Sequence, residues 1–205
     1  MSRLKAIFTD DWQHILEVYH KFICPSGSEP VNEKLPLILL EIGVRFGERL
    51  SQYQTNGYVE IGCGLAIPSL TLAKLGCSGV LAIDIDPKVV AKAEAIKEEV
   101  GCDFEIRCAD IFEDRPKLQN GQMLIAEKPA SYKRNTLEVE YAISNWCRIE
   151  SHNFALIPTF LDTDTLDSYG ERCAKYEKKL RQNGFKVENK QACDELPVRW
   201  LIAVK

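Results

Sequence analysis

The chain has 205 residues, of which 45% are hydrophobic and 27% charged, and its net charge is −4 at pH 7. That size and balance fit one globular domain with a sizeable core, and the longest apolar run, LPLILLEIGV, is broken by charge well short of the roughly 20 residues a membrane span needs. The acidic balance disfavours nucleic acid as a partner, because phosphate contacts draw most of their affinity from clustered Lys and Arg.

At the start of the chain, MSRLKAIFTDD has no apolar run behind its basic residues, so no secretion signal is expected and a cytoplasmic setting follows. The next stretch, DDWQHILEVYHKFI, predicts a helix with Trp12, Ile15, Tyr19 and Ile23 on one face and Asp10 or Asp11 as its cap. CPSGSEP then breaks the chain, as a gate over a pocket or simply a connector. A second helix is predicted from Glu33 to Tyr53, with Pro36 in its first turn and a stripe of Leu35, Leu39, Ile42, Phe46 and Leu50. Gly43 and Gly47, four apart, suit close helix packing.

From residue 57 strands and helices alternate. GYVEIG predicts the first strand and IPSLTLAKLG its helix, with Pro68 suited to the first helical position and Gly76 to the stop. GVLAIDID is the second strand, followed by a helix that opens at Asp86-Pro87 and ends at Gly101. DFEIRCADIF holds the third strand and its exit loop. GQMLIAEKP is the fourth strand, with a helix over about Asn135 to Cys147 after it. FALIPTFL is the fifth strand, TLDSYGERCAKYEKKLRQNG the last helix, and FKVENKQA and VRWLIAVK close the chain as a hairpin. This pattern predicts a three-layer α/β fold, a mostly parallel sheet covered by helices, with one antiparallel strand from the final hairpin.

The eight cysteines (24, 63, 77, 102, 108, 147, 173 and 193) form no C-x-x-C pair, and His14, His20 and His152 do not join them at zinc-ligand spacing. No metal centre is expected. The thiols read as free and mostly buried, and Cys63 as chosen for its small size.

Three carboxylates fall at strand ends, where an open α/β sheet binds its ligands: Glu60, Asp84 and Asp110. Two cofactor classes fit glycines at the first strand-to-helix corner. A dinucleotide fingerprint, G-x-G-x-x-G/A, needs a small third residue, and counted from Gly62 that place is Ile67. Glu60 ahead of the turn would also repel a diphosphate. A sulfonium nucleoside carries no phosphate and instead offers a ribose diol and an amino group, which want carboxylate acceptors.

The run Glu60-Ile61-Gly62-Cys63-Gly64-Leu65-Ala66 resembles the E/D-x-G-x-G-x-G turn of the class I S-adenosylmethionine-dependent methyltransferases, with a small Ala66 in place of the last glycine. LAIDIDP and CADIF resemble that family's second and third motifs. The resemblance implies that Asp84 holds both ribose hydroxyls and that Ile85 packs on adenine. It further implies that Asp110 accepts from the adenine amino group and that Ile111 donates to the ring through its backbone. Gly62, Cys63 and Gly64 would allow close approach of the amino-acid end, with Glu60 beside it. It also implies the sheet order 3-2-1-4-5-7-6 with strand 7 antiparallel, and S-adenosylmethionine as cofactor.

The family's fourth motif lies beside the reactive methyl, and in enzymes that methylate planar nitrogens it often reads N/D-P-P-Y. Glu127-Lys128-Pro129-Ala130 replaces it here, and Tyr132 follows. Glu127 is the candidate catalytic residue, as acceptor from an amine, as general base or as holder of the cofactor's amino group; the plainer alternative is an ion pair with Lys128 or Arg134. Lys128 and Tyr132, with Lys133 and Arg134, are candidate substrate contacts. His14, His20 and His152 are weaker candidates. The expected organisation is a helical extension or lid over residues 1–56 and a cofactor-binding domain over 57–205. The expected activity is methyl transfer to a small molecule or a peptide, to nitrogen before oxygen. A non-catalytic S-adenosylmethionine-binding subunit and a nicotinamide-dependent oxidoreductase are the alternatives.

Overall fold

The computed structural model describes residues 3–23, 34–114, 116–128, 135–150, 152–159, 161, 164–192, 194 and 196–205. Three helices lead, α1 (Arg3–Phe8), α2 (Trp12–Ile23) and α3 (Leu35–Leu50). Then come β1 (Tyr58–Ile61), α4 (Ile67–Lys74), β2 (Val80–Asp84), α5 (Pro87–Val100), β3 (Glu105–Cys108) and β4 (Met123–Glu127). The chain continues with α6 (Thr136–Glu150), β5 (Asn153–Ile157), α7 (Leu166–Gln182), β6 (Lys186–Gln191) and β7 (Arg199–Val204). The strands form one sheet in the order β3-β2-β1-β4-β5-β7-β6, with β7 antiparallel to both neighbours and every other pairing parallel. Both the order and the reversed strand are those expected from the sequence. Among the described residues, no helix is long and apolar enough to cross a membrane.

Strand alternation divides the interior into two cores. Tyr58, Ala82, Ile125 and Ile157 face the side covered by α3, α4 and α5. Val59, Ile61, Leu124, Phe154 and Leu201 face α6 and α7, where Val139, Ile143 and Leu180 meet them. The same alternation puts Glu60 on the α4 side of β1.

Helix boundaries shift slightly from the sequence expectations. The second predicted helix is shorter at both ends, and α6 runs on to Glu150. A short helix, α1, precedes the first predicted one: Leu4 and Phe8 are fully buried, and the amides of Arg3 and Leu4 donate to the Glu41 carboxylate at 3.1 and 3.3 Å. Asp11 immediately precedes α2, and its carboxylate lies 3.8 Å from Lys74 Nζ. Asp86 caps α5 through the amide of Lys88, at 2.8 Å.

The leading helices are joined to the sheet by the close approach of α3 to α4. A Cβ on Gly47 would stand 2.7 Å from Thr71 Cβ and 2.8 Å from the Pro68 carbonyl oxygen. Only glycine lets the two helix backbones come this near. Ile42, Phe46 and Leu50 then join the same core as α4.

Gly47→Ala should therefore lower stability by about 2 kcal/mol in a urea titration, because overpacking against backbone outweighs alanine's helix preference of about 1 kcal/mol. Gly170 in α7 faces open space, so Gly170→Ala should raise stability by up to about 1 kcal/mol.

Candidate active site

The parallel strands end on one edge of the sheet, and the turn from β1 to α4 crosses that edge. Gly62 (φ +62°) and Gly64 (φ +55°) occupy the left-handed region there. So does Ala66, at φ 56° and ψ 37°. Its departure from the glycine pattern is thus conformational as well as a matter of size, since an L-residue in that region costs about 1–2 kcal/mol. The Ala66 methyl is fully buried in the core. In front of Gly62 there is open space.

Glu60 does not line the space in front of this turn. It is 1% exposed, and its Oε2 accepts from the Ser69 amide at 3.1 Å and from the Ser69 hydroxyl. Burial pushes its carboxyl up to about 8, against the pull of the Ser69 donors, with Glu127 and Asp84 raising it further. Near neutral pH it is largely protonated. The repulsion of a diphosphate expected from sequence therefore does not operate as argued, because the carboxyl lies behind the turn and holds its proton.

Asp84, at the end of β2, braces the turn from the other side. Its Oδ2 accepts from the Gly64 amide at 2.9 Å and its Oδ1 from the Asp86 amide at 3.0 Å. Each oxygen keeps a further acceptor site. Ile85 follows it, and Asp110 and Ile111 leave β3 nearby. The Asp110 Oδ1 accepts from the Phe112 amide at 3.0 Å. Ile61, Ile83, Asp84, Ile85, Asp110 and Ile111 line a small cavity of about 40 Å³. A larger one of about 360 Å³ shares Gly62, Asp84 and Ile85 with it and continues past Cys63, Gly64 and Ile67 to Glu127 and Lys128. The two make one groove across the ends of β1 to β4. Burial pushes the Cys63 thiol up, and Glu60 and Asp84 add to it, so the residue serves as a small neutral liner, as its size suggested.

Glu127 ends β4 with its side chain 11% exposed, and its Oε1 lies 2.8 Å from Lys128 Nζ. The ion pair anticipated as the plainer alternative is present. Lys128 holds a left-handed backbone (φ 47°), and its amide donates to the Ile157 carbonyl at 2.7 Å. Tyr19 of α2 completes the cluster through a hydrogen bond with Lys128. Burial pushes the Tyr19 phenol up to about 12 against the opposing effect of Lys128. The Lys128 ammonium is opposed by burial, but Glu127 and Tyr19 outweigh that and hold its pKa above the ordinary value. The cluster is a neutral phenol, an ammonium and its carboxylate partner.

Tyr19 and Phe22 also line the groove, although neither is a candidate by sequence: periodicity puts Tyr19 on a packing face, and Phe22 carries no signal beyond its aromatic ring. Phe22 Cζ would lie 3.7 Å from a Cβ on Gly64. Tyr132, Pro129, Ala130, Lys133, Arg134 and the CPSGSEP break lie outside the described residues. The three histidines are not in the groove lining. His14 pairs with Glu99 on the surface, His20 is exposed, and His152 Nε2 lies 3.2 Å from Glu150. Among the described residues no His, Cys, Asp and Glu group could hold a metal.

Residues 59–122 match the family model of the methyltransferase domain. A ribosomal protein L11 methyltransferase of Thermosipho melanesiensis is 32% identical over 124 residues, which is 54% of this chain and 46% of that protein. The chain spans less than half the length of the curated relatives it matches. Among solved structures, magnesium protoporphyrin IX methyltransferase from Synechocystis aligns with 100% of this chain and 98% of its own, at a TM-score of 0.62 and 17% identity. A ribosomal protein L11 methylase from Lactobacillus delbrueckii aligns over 82% and 79% respectively, at a TM-score of 0.59 and 16% identity. The fold is that of the class I methyltransferases.

The raised Glu60 carboxyl has a consequence for stability. The folded state binds its proton more tightly than the unfolded chain, so its contribution is full below the ordinary value of 4.5 and is lost as pH rises to about 8. The slope is at most about 1.4 kcal/mol per pH unit. Glu60→Gln should flatten the decline in urea midpoint between pH 5 and pH 8; an unchanged profile would show that Glu60 ionises normally.

Proposed function

We propose that this chain, a class I methyltransferase in fold, binds S-adenosylmethionine in the groove and transfers its methyl group to a small molecule or a peptide, with nitrogen favoured over oxygen as the acceptor atom. The observation that carries this reading is the continuous groove joining Asp110, Asp84 and the glycine turn to Glu127. The residues fit the cofactor: open space fronts Gly62, and Asp84 retains acceptor capacity after bonding two amides.

On this reading Asp84 accepts from both ribose hydroxyls, Ile85 packs on the adenine, Asp110 accepts from its amino group, and Ile111 donates to the ring through its backbone. The backbone of Gly62, Cys63 and Gly64 admits the amino-acid end, and Glu60 positions that turn from behind. The bound sulfonium supplies an electrophilic methyl, and the protein's task is alignment of the acceptor and removal of its proton. Glu127 accepts a hydrogen bond from the incoming amine, with Lys128 fixing its orientation; Tyr132 joins Lys128 as a substrate contact. Residues 1–56 act as the lid, because α2 carries Tyr19 and Phe22 over the groove. The acidic net charge supports a partner other than nucleic acid, and the free thiols at six described positions support a cytoplasmic setting.

The Glu127–Lys128 pair also favours a second reading, a subunit that binds the cofactor without transferring the methyl group. Cofactor binding with no transfer to any offered acceptor, together with a stable co-purifying protein, would establish it.

Calorimetry with S-adenosylhomocysteine and with NAD tests the cofactor. S-adenosylhomocysteine should bind, and Asp84→Ala should weaken it at least about tenfold through loss of two charge-assisted hydrogen bonds. Tight NAD binding instead would overturn the reading. With an accepted substrate, Glu127→Gln should lower kcat about 100-fold and leave the affinity for S-adenosylhomocysteine within twofold. Unchanged turnover would remove Glu127 from the reaction.

A further inference from the structure

A second concave site lies away from the groove, on the outer side of α6 and α7. Its cavity volume is about 250 Å³. Tyr141, Ser144 and Asn145 of α6 form one wall, and Arg172, Lys175, Tyr176 and Lys179 of α7 form the other, with Leu180 at one end. These residues recur at helical spacing on both helices, so two complete faces are turned toward each other.

The composition of the site is selective. Two tyrosine rings, Leu180 and the lysine stems give it an apolar lining. Its charged lining residues are all cations, in a chain whose net charge is −4. Two acids of these helices, Glu140 and Glu177, are already engaged. Glu140, below the wall, is fully buried and accepts from Arg172, Tyr176 and the Thr159 amide. Glu177 accepts from Arg181 and Asn189. Arg172 is committed to Glu140, Asp164 and the Thr159 carbonyl, so the charge available to a ligand is that of Lys175 and Lys179. Lys179 Nζ donates to the Tyr141 hydroxyl at 3.0 Å and stands 4.3 Å from that ring's centroid, which holds it at the rim. Ser144 Oγ and Arg172 Nε are buried beneath the lining, without a hydrogen-bond partner among the described residues. Tyr141 is 53% exposed although it is a large ring on a packed helix.

From this combination we infer that the α6–α7 cleft is a binding site for an anionic aromatic small molecule, whose ring lies between Tyr141 and Tyr176 and whose acid group meets Lys175 and Lys179. Ring stacking and apolar burial supply the affinity, and the two ammonium groups choose the anion. The site is separate from the methyl-transfer groove and does not depend on that assignment.

The test uses the whole chain with saturating S-adenosylhomocysteine present. The probe is 1-anilinonaphthalene-8-sulfonate, with N-phenyl-1-naphthylamine as its uncharged analogue, and the readout is fluorescence titration. The sulfonate should bind at one site, at least tenfold more tightly than the analogue. The double variant Lys175→Glu/Lys179→Glu should weaken the sulfonate at least tenfold and leave the analogue within threefold. Tyr141→Ala should weaken both. Far-ultraviolet circular dichroism and the urea midpoint report whether each variant stays folded, and Lys175→Gln, on an exposed position, provides a milder variant that should still reduce sulfonate affinity. Equal affinity for the two probes or indifference to the lysine variants would each overturn the proposal, as would, in a parallel titration begun without S-adenosylhomocysteine, displacement of the sulfonate when it is added; the last would place the probe in the main groove.

Discussion

The bond from Ser69 to the buried carboxyl of Glu60 is the constraint on which the groove depends. Alternation along β1 turns Glu60 under α4, away from water, and the first turn of any helix has amides without partners. Ser69 supplies one such amide and its hydroxyl. The bond fixes the start of α4 against the strand that precedes it. The chain must then pass from β1 to α4 within a few residues, and it does so through three left-handed positions, at Gly62, Gly64 and Ala66. Asp84 takes up the Gly64 amide and closes the loop from the neighbouring strand. A rigid corner results, with its open side toward the groove.

Electrostatics at this corner is a problem of like charges solved in different ways. Glu60, Asp84 and Glu127 belong to one neighbourhood, and the first is raised mainly by burial, with the other two adding to it. Glu60 keeps its proton. Asp84 is held by backbone amides, and Glu127 by the Lys128 ammonium. The pair has geometric support from α3: a Cβ on Gly43 would lie 3.0 Å from Glu127 Oε2 and 3.1 Å from Ile67 Cγ2. The leading helices therefore shape the groove as well as covering it. Glycine at 43 leaves room for the carboxylate, and Ile67, too large for a dinucleotide corner, fills the space between α3 and the turn.

Much of this was legible from residues alone, for identifiable reasons. Sheet order came with the family resemblance that the three ordered motifs and the terminal hairpin carry, and the strands adopt it. Hydrophobic runs put Asp84 and Asp110 at strand ends, and both, with Ile85 and Ile111, line the cavity there. Gly43 and Gly47 signalled close packing through their spacing, though the helix they would meet was not evident. Glu60 was found and its role was not: charge is written in the sequence, whereas the direction a strand residue faces depends on which helix covers it. The separate helix α1 was missed because six residues carry too little periodicity to register, and its two anchors, Leu4 and Phe8, matter only once α3 is in place. Tyr19 and Phe22 escaped for a related reason, since a helix face that packs and one that roofs a ligand look alike until the partner surface is known.

The two halves of the groove are built on different principles. Around Asp84 and the glycine turn, the shape comes from backbone: left-handed residues, amides and strand ends. Such a surface suits a constant ligand, because backbone geometry changes little with side-chain identity. Around Glu127 the shape comes from side chains, Tyr19, Phe22 and Lys128, contributed by a helix outside the alternating part of the chain and by a left-handed residue at a strand end. Such a surface can be rewritten without disturbing the corner. On the proposed reading, the cofactor is held by the part of the molecule that folding itself requires, and the acceptor by the part that folding leaves free. This division explains why the motifs name a cofactor and why identity over part of a relative's length does not by itself name a substrate.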